Sequence, residues 1–247
     1  MTKIVLVTGA SRGIGASVAT LAGKAGYTVC VNYRERADKA GEVVARIEAA
    51  GSRAAAFQAD VSVEKDVVRM FEEVDARFGP VSALVNNAGV MIADKVVDMD
   101  ADMLNRLWAI NVTSCFLCAR EAIRRMSKSR NGSGGAIVNI SSIAGKQGGR
   151  GERVHYAASK GAVNTMTIGL ASEVAGEGIR VNAVLPGLVD TDLHEPFGGK
   201  ERIDRIGPTI PLGRAGLPDD VGAAVVWLLS DEASFITGTL LEIGGGS

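Results

Sequence analysis

The chain has 247 residues, 47% of them hydrophobic and 22% charged, with a formal net charge of -1. That length and apolar share suffice for one large core, and no Pro/Ser-rich linker or charge block divides it, so a single domain over 1–247 is expected. The near-zero charge excludes the basic field of a nucleic-acid binder, and no apolar run reaches the ~20 residues of a membrane-spanning helix.

Residues 4–7, Ile-Val-Leu-Val, form a continuous apolar run of strand length, which fits a strand buried on both faces in a parallel sheet. The run is too short for a signal-peptide core, so a cytoplasmic location is expected. It leads into Thr8, Gly9, Ala10, Ser11, Arg12, Gly13, Ile14 and Gly15, after which Val18, Ala19 and Leu21 recur at helical spacing. Strand, glycine turn and helix follow in the order that phosphate binding requires, because glycine lets the backbone approach a pyrophosphate lying on the positive helix N-terminus. The spacing Gly-x-x-x-Gly-x-Gly is a variant of the dinucleotide fingerprint; a plain strand-to-helix turn is the other reading.

Residues 28–33 alternate and are β-rich, giving a second strand, and 38–50 carry a helix closed by Gly51. In a dinucleotide fold, an acidic residue at the end of this strand favours the free 2′-hydroxyl of NAD. This strand ends in Asn32, Tyr33 and Arg34, with no carboxylate before Glu35. Arg34 and Arg12 suit a 2′-phosphate, so NADP(H) is expected over NAD(H); the alternative is that both are solvated surface charges.

Residues 54–59 read as a third strand, with Asp60 and Val61 at the carboxyl end where ligands of parallel sheets gather. Ser62 is expected to cap a helix running to Phe78, with Glu64 and Asp66 in its first turn and Gly79-Pro80 as a stop. Residues 81–85 make a fourth strand ending in Asn86, Asn87, Ala88 and Gly89, whose amides can brace the backbone while Gly89 lets a cofactor pass. A helical pattern over 102–126 is interrupted near Asn111, a poor helix-interior residue, so a local irregularity is expected there.

After a polar loop, 136–140 form a fifth strand that delivers Ser141 and Ser142, and a loop over 143–154 leads to a helix bearing Tyr156 and Lys160. Four residues apart, those two share a helix face. A neighbouring ammonium favours the phenolate; bringing a phenol from its usual range to neutrality takes about 4 kcal/mol. Tyrosine and lysine one turn apart also occur by chance on solvated faces. Cys30, Cys115 and Cys118 are read as buried reduced thiols; a redox or zinc reading of Cys115-x-x-Cys118 lacks a second ligand pair.

Taken in order, the turn from Thr8 to Gly15, Asn86 to Gly89, Ser142 with Tyr156 and Lys160, and Pro186-Gly187 with Thr191 resemble the short-chain dehydrogenase/reductase family over essentially the whole length. The resemblance implies a doubly wound, three-layer Rossmann-type α/β fold with a seven-stranded parallel sheet. It implies that Tyr156 is the general acid/base, that Lys160 lowers its pKa and holds the nicotinamide ribose, and that Ser142 hydrogen-bonds the substrate oxygen. Asn111 would anchor a water joining the lysine to solvent. Ser141 competes for the serine role, but the family pattern takes the second position. The interval of 14 from Ser142 to Tyr156 is one longer than the family's commonest spacing.

The cofactor set implied by turn and resemblance is Gly9, Ser11, Arg12, Gly13, Ile14 and Gly15 around the phosphates, Tyr33, Arg34, Asp60 and Val61 toward the adenosine, and Asn87, Ala88 and Gly89 beneath. Toward the nicotinamide come Tyr156, Lys160, Pro186, Gly187, Val189 and Thr191. Residues 179–185 and 239–243 read as strands six and seven, Pro218 opens a helix to Leu229, and 190–212 reads as a mobile substrate flap where His194 and Phe197 touch substrate. A rim of Arg150, Glu152, Arg153 and His155 suits a polar or anionic substrate, or is a solvated loop.

The expected function is an NADP(H)-dependent carbonyl or 3-oxoacyl reductase. A sugar dehydrogenase of the glucose 1-dehydrogenase type is the alternative, and a non-catalytic NADP(H) sensor is a third reading. Acyl-carrier reductases commonly have an arginine before the glutamate that follows the Tyr-Lys helix segment; here Ser172 precedes Glu173. The resemblance further implies a homotetramer with a four-helix interface, and no metal is expected.

Overall fold

The computed structural model describes residues 3–149, 151 and 153–247. A seven-stranded sheet in the order β3-β2-β1-β4-β5-β6-β7 runs through it, parallel at every pairing. The first half is β1 (Ile4–Val7), α1 (Gly13–Lys24), β2 (Thr28–Tyr33), α2 (Ala37–Ala49), β3 (Ala54–Gln58), α3 (Glu64–Phe78) and β4 (Ala83–Asn86). Then come α4 (Ala101–Trp108), α5 (Ser114–Met126), β5 (Gly135–Ile140), α6 (Ala144–Gln147) and α7 (Val154–Val174). Strand β6 (Ile179–Pro186), α8 (Gly199–Ile206), α9 (Pro218–Leu229) and β7 (Leu240–Ile243) complete the chain.

The apolar run of β1 is explained by its neighbours on both sides. Val5 and Val7 enter a core layer built with α1, α2 and α9, whereas Ile4 and Leu6 enter the opposite layer with α3, α5 and α7. Alternation of side chains across a strand sends successive residues to opposite faces, so a strand covered on both sides is apolar throughout. The order reverses between β1 and β4, which opens a crevice at their carboxyl ends, the usual ligand site of such sheets.

Two local expectations change. Ser62 does not cap α3: the N-cap position is Val63 without a side-chain cap, and the Ser62 hydroxyl instead donates to Asp60 at 2.6 Å. The carboxylate of Asp66, within the first turn, accepts from the Asp60 backbone at 3.0 Å, so this helix start is bound to the end of β3. The interval 143–154 is not all loop, since α6 occupies part of it.

The interruption around Asn111 is a π-helical turn, Ala109–Thr113, between α4 and α5. Asn111 is fully buried and clamps Val90 in both directions, accepting from its N–H at 2.8 Å and donating to its carbonyl at 2.9 Å. An amide that bonds a separate strand-end segment pulls the helix out of regular pitch, the situation in which such turns arise.

Candidate active site

Thr8 to Gly15 leave β1 at the crevice, and the turn is held from below by side chains of the neighbouring strands. Asn87 donates to the carbonyls of Thr8 (2.8 Å) and Gly9 (3.0 Å), and Asn32 accepts from the Gly9 N–H at 3.1 Å. The Thr8 hydroxyl receives the N–H groups of Asn87 and Ala88. Gly9 has φ +61°, a left-handed conformation, and a Cβ on Gly15 would stand 2.4 Å from the Asn87 amide and 2.6 Å from the Gly9 carbonyl. Only glycine fits at those two places. The N-cap of α1 is Arg12, whose side chain makes no capping bond, so the first-turn N–H groups face the crevice and fit an anion such as a pyrophosphate.

Two cavities lie along this edge. One of about 470 Å³ is walled by Gly9, Ser11, Arg12, Gly13 and Ile14 on one side and by Tyr33, Arg34, Asp60 and Val61 on the other, with Asn87, Ala88 and Gly89 as its floor. The second, about 490 Å³, holds Ser142, Tyr156 and Lys160 with Pro186, Gly187 and Val189. Ile14, Asn87, Gly89 and Thr191 belong to both walls, so the two spaces form one groove. Of the expected site residues, Gly15 and Asn111 stand behind the wall; Asn32, Met91, Gln147 and Arg202 are wall residues that motif reading misses.

Asn32 carried no signal beyond its place at a strand end. The flap residues were hidden because 190–212 has no regular apolar period. In the structure it is a 3-10 segment (Asp192–Phe197), α8 and a further 3-10 turn (Gly207–Thr209). It is fastened at both ends, by Asp190 N–H to Gly216 carbonyl (2.8 Å) and Leu212 N–H to Gly245 carbonyl (3.1 Å). His194 lines the second cavity and Phe197 does not. Of the expected rim, Arg150 and Glu152 lie outside the described residues, Arg153 is on the wall, and His155 is buried away from it with neither ring nitrogen hydrogen-bonded.

The two serines separate cleanly. Ser141 is buried, its hydroxyl bonded to the Lys160 carbonyl (3.0 Å) and the Asn164 amide oxygen (2.6 Å). Ser142 faces the cavity, accepting from Ala144 N–H at 3.2 Å.

Tyr156 is buried, and burial pushes its phenol above the ordinary range; Ser142, followed by the Arg153 guanidinium, acts in the opposite direction. Lys160 donates to the Ile140 carbonyl at 2.8 Å, sits 5.9 Å from the Tyr156 ring centroid, and is itself pushed down by burial. For both groups desolvation is the largest influence, and for the phenol it runs opposite to the effect expected of the lysine. All three cysteines are free and buried, as expected, with Cys30 and Cys118 pushed up by desolvation and inert as nucleophiles.

Around the first cavity the arginines have carboxylate neighbours. Arg34 pairs with Glu35 and lies 3.9 Å from Asp60, and Arg12 reaches Asp192 at 3.5 Å. All these side chains are substantially exposed, so the pairs are weak and open to exchange for a stronger anion.

Residues 9–247 match the protein family described as Enoyl-(Acyl carrier protein) reductase. The chain is 49% identical over 244 residues to an uncharacterized oxidoreductase, YgfF, of Escherichia coli (strain K12), covering 98% of this chain and 99% of that one. It is 38% identical over 246 residues to the 3-oxoacyl-[acyl-carrier-protein] reductase FabG of Staphylococcus aureus (strain Mu50 / ATCC 700699), covering 100% and 98%. Among solved structures, a short-chain type dehydrogenase/reductase from Mycobacterium marinum superposes with TM-score 0.93 at 35% identity, covering 99% of this chain and 94% of that one. The acetoin dehydrogenase YohF of Salmonella typhimurium does so with TM-score 0.89 at 32% identity, covering 100% and 97%. With its doubly wound parallel sheet, glycine turn and Ser142, Tyr156 and Lys160 on one groove, the chain belongs to the short-chain dehydrogenase/reductase family of oxidoreductases, whose members use nicotinamide cofactors.

Proposed function

We propose that the protein is an NADP(H)-dependent carbonyl reductase, with Tyr156 as proton donor. The observation that carries this reading is the groove itself, in which a glycine-lined phosphate cradle and the group Ser142, Tyr156 and Lys160 share walls. Bound nicotinamide supplies the hydride. Ser142 and the Tyr156 hydroxyl hold the carbonyl oxygen, and the phenol gives it a proton as negative charge develops there. Lys160 orients the ribose, and Thr191 with the backbone near Val189 orients the carboxamide. Asn111 fixes Val90 and so the floor after Gly89.

Arg12 and Arg34, with Arg36 beside them on the same wall, support recognition of a 2′-phosphate, because a phosphate competes well for guanidinium groups held only by exposed carboxylates. The similarity to a 3-oxoacyl-carrier reductase and to an acetoin dehydrogenase supports a ketone-bearing substrate. The sugar dehydrogenase reading has no observation of its own in the groove.

The test is absorbance-monitored oxidation of NADPH and NADH against a 3-oxoacyl thioester, a diketone and an aryl ketone. NADPH is expected to be favoured by about tenfold or more, the worth of one charge-assisted contact. Tyr156→Phe should lose at least 99% of turnover while binding NADPH within about threefold of the parent, since removing a general acid costs about 10²–10⁴ in rate. Substantial residual turnover in that variant would remove Tyr156 from the reaction, and equal use of NADH would remove the phosphate reading.

A further inference from the structure

The substrate end of the groove is basic. Among the described residues, the charged side chains on the wall of the second cavity are Arg153, Lys160 and Arg202, and no described aspartate or glutamate side chain joins them. Arg202 comes from α8, the flap helix, and has no ion-pair partner among the described residues; its Nε is buried without a hydrogen bond. His194, from the preceding 3-10 segment, lines the same space with an unpaired buried Nδ1. Asp190, the flap acid whose charge acts on His194, is engaged by Lys200 at 3.5 Å.

A guanidinium with a buried, unsatisfied N–H beside a second arginine is a costly arrangement, because like charges repel and a buried donor without an acceptor forfeits its hydration. Burial, Arg153 and Arg205 all act to lower the Arg202 pKa, which is the same cost seen from the titration side. A forked donor set of this kind matches the paired oxygens of a carboxylate or phosphate. Arg202 lies outside the phosphate-cradle cavity, so its ligand is distinct from the anion at Arg12 and Arg34.

We propose that Arg202, with His194 beside it, is a specificity-determining anchor for an oxyanion carried by the substrate, so that the carbonyl compound reduced here bears a carboxylate or phosphate. This rests on the reading of the groove as an oxidoreductase site. It places the recognition group on the flap helix, so that substrate charge and closure of the flap over Tyr156 are coupled.

The experiment uses methyl ketones of increasing chain length, each ending in a carboxylate or a phosphate and each run beside its neutral ester, with NADPH and with NADH. The same anions are titrated calorimetrically into the protein. At one chain length the anion should exceed its neutral partner by about 10- to 100-fold in kcat/KM, the worth of a charge-assisted pair. In Arg202→Leu that ratio should collapse to near one and the calorimetric signal should vanish, with Arg202→Lys intermediate in both. The carboxylate and phosphate arms identify which oxyanion is preferred. Equal rates for anion and ester at every length overturn the proposal and leave the oxidoreductase reading standing. Anion binding that disappears in Arg202→Leu, with no turnover of any ketone, supports the anion site and overturns the carbonyl-reductase reading instead. No anion binding and no charge preference overturn the anchor.

Discussion

At the scale of single residues, the groove works by putting polar groups where water is scarce. Tyr156 is only 8% exposed and Lys160 5%, and for both the loss of water is the largest influence on proton affinity. An acid whose pKa is raised keeps its proton to higher pH, so the phenol remains a donor throughout the neutral and mildly alkaline range. Carbonyl reduction, which consumes that proton, should show no tyrosine limb between about pH 7 and about pH 10. The reverse oxidation requires the phenolate and should climb about tenfold per pH unit across the same range. Single-turnover rates in both directions, measured with the bound cofactor, check this; an oxidation rate levelling off near neutrality would show that the lysine, not burial, governs the tyrosine.

At the scale of elements, what aligns the site is a set of side chains that replace missing backbone partners. Thr8, Asn32, Asn86, Asn87 and Asn139 are buried or half-buried strand-end residues whose bonds run between neighbouring strands, for example Asn86 to Asn139 at 2.9 Å. The opposite end of the sheet has its own device. Arg180, in β6, donates to the carbonyls of Leu228, Leu229 and Ser230 at the C-terminal end of α9, and of Ile236 beyond it, satisfying helix-end acceptors with a positive charge that also suits the helix dipole. Since α9 packs on α1, this fastening supports the helix that follows the glycine turn. Arg180→Met should destabilise the fold by about 2–3 kcal/mol, the net worth of charged hydrogen bonds at a helix end. A shift of the urea midpoint with unchanged slope is the expected signature; an unshifted midpoint would mean that water replaces the guanidinium at no cost.

At the scale of the whole molecule, the exposed apolar side chains are not scattered evenly. Trp108 and Phe116 stand out from α4 and α5, and Val154 and Ile168 from α7, while β7 is a half-exposed edge strand. A helix face bearing large apolar groups and an open sheet edge are surfaces that association would cover. We infer the homotetramer implied by the family resemblance, assembled through these two surfaces, and expect solution scattering to give about four times the 25.6 kDa chain mass. A monomer mass would refute it. No helix of the described residues is long and apolar enough to cross a membrane.

Several features were settled by the chain of residues alone. A run such as Ile4 to Val7, apolar at every position, fits a strand covered on both faces, and Gly9 and Gly15 fit a turn whose backbone runs too close to its neighbours for a side chain. Those signals are local in sequence, because strand burial and glycine conformations act over a few residues, so the strands and the glycine turn were legible residue by residue, while the doubly wound order came with the family resemblance. The Tyr156 and Lys160 spacing likewise follows from helix geometry. What required the tertiary structure was everything decided by residues distant in sequence. The fate of Ser141 against Ser142 depends on Asn164, the balance on Tyr156 depends on burial, Ser142 and Arg153, and Arg202 reaches the groove only because Pro196, Gly198 and Gly199 break the flap into short turns. Proton affinity and unpaired charge are properties of an enclosed space, and that space exists only once the flap is folded over the edge of the sheet.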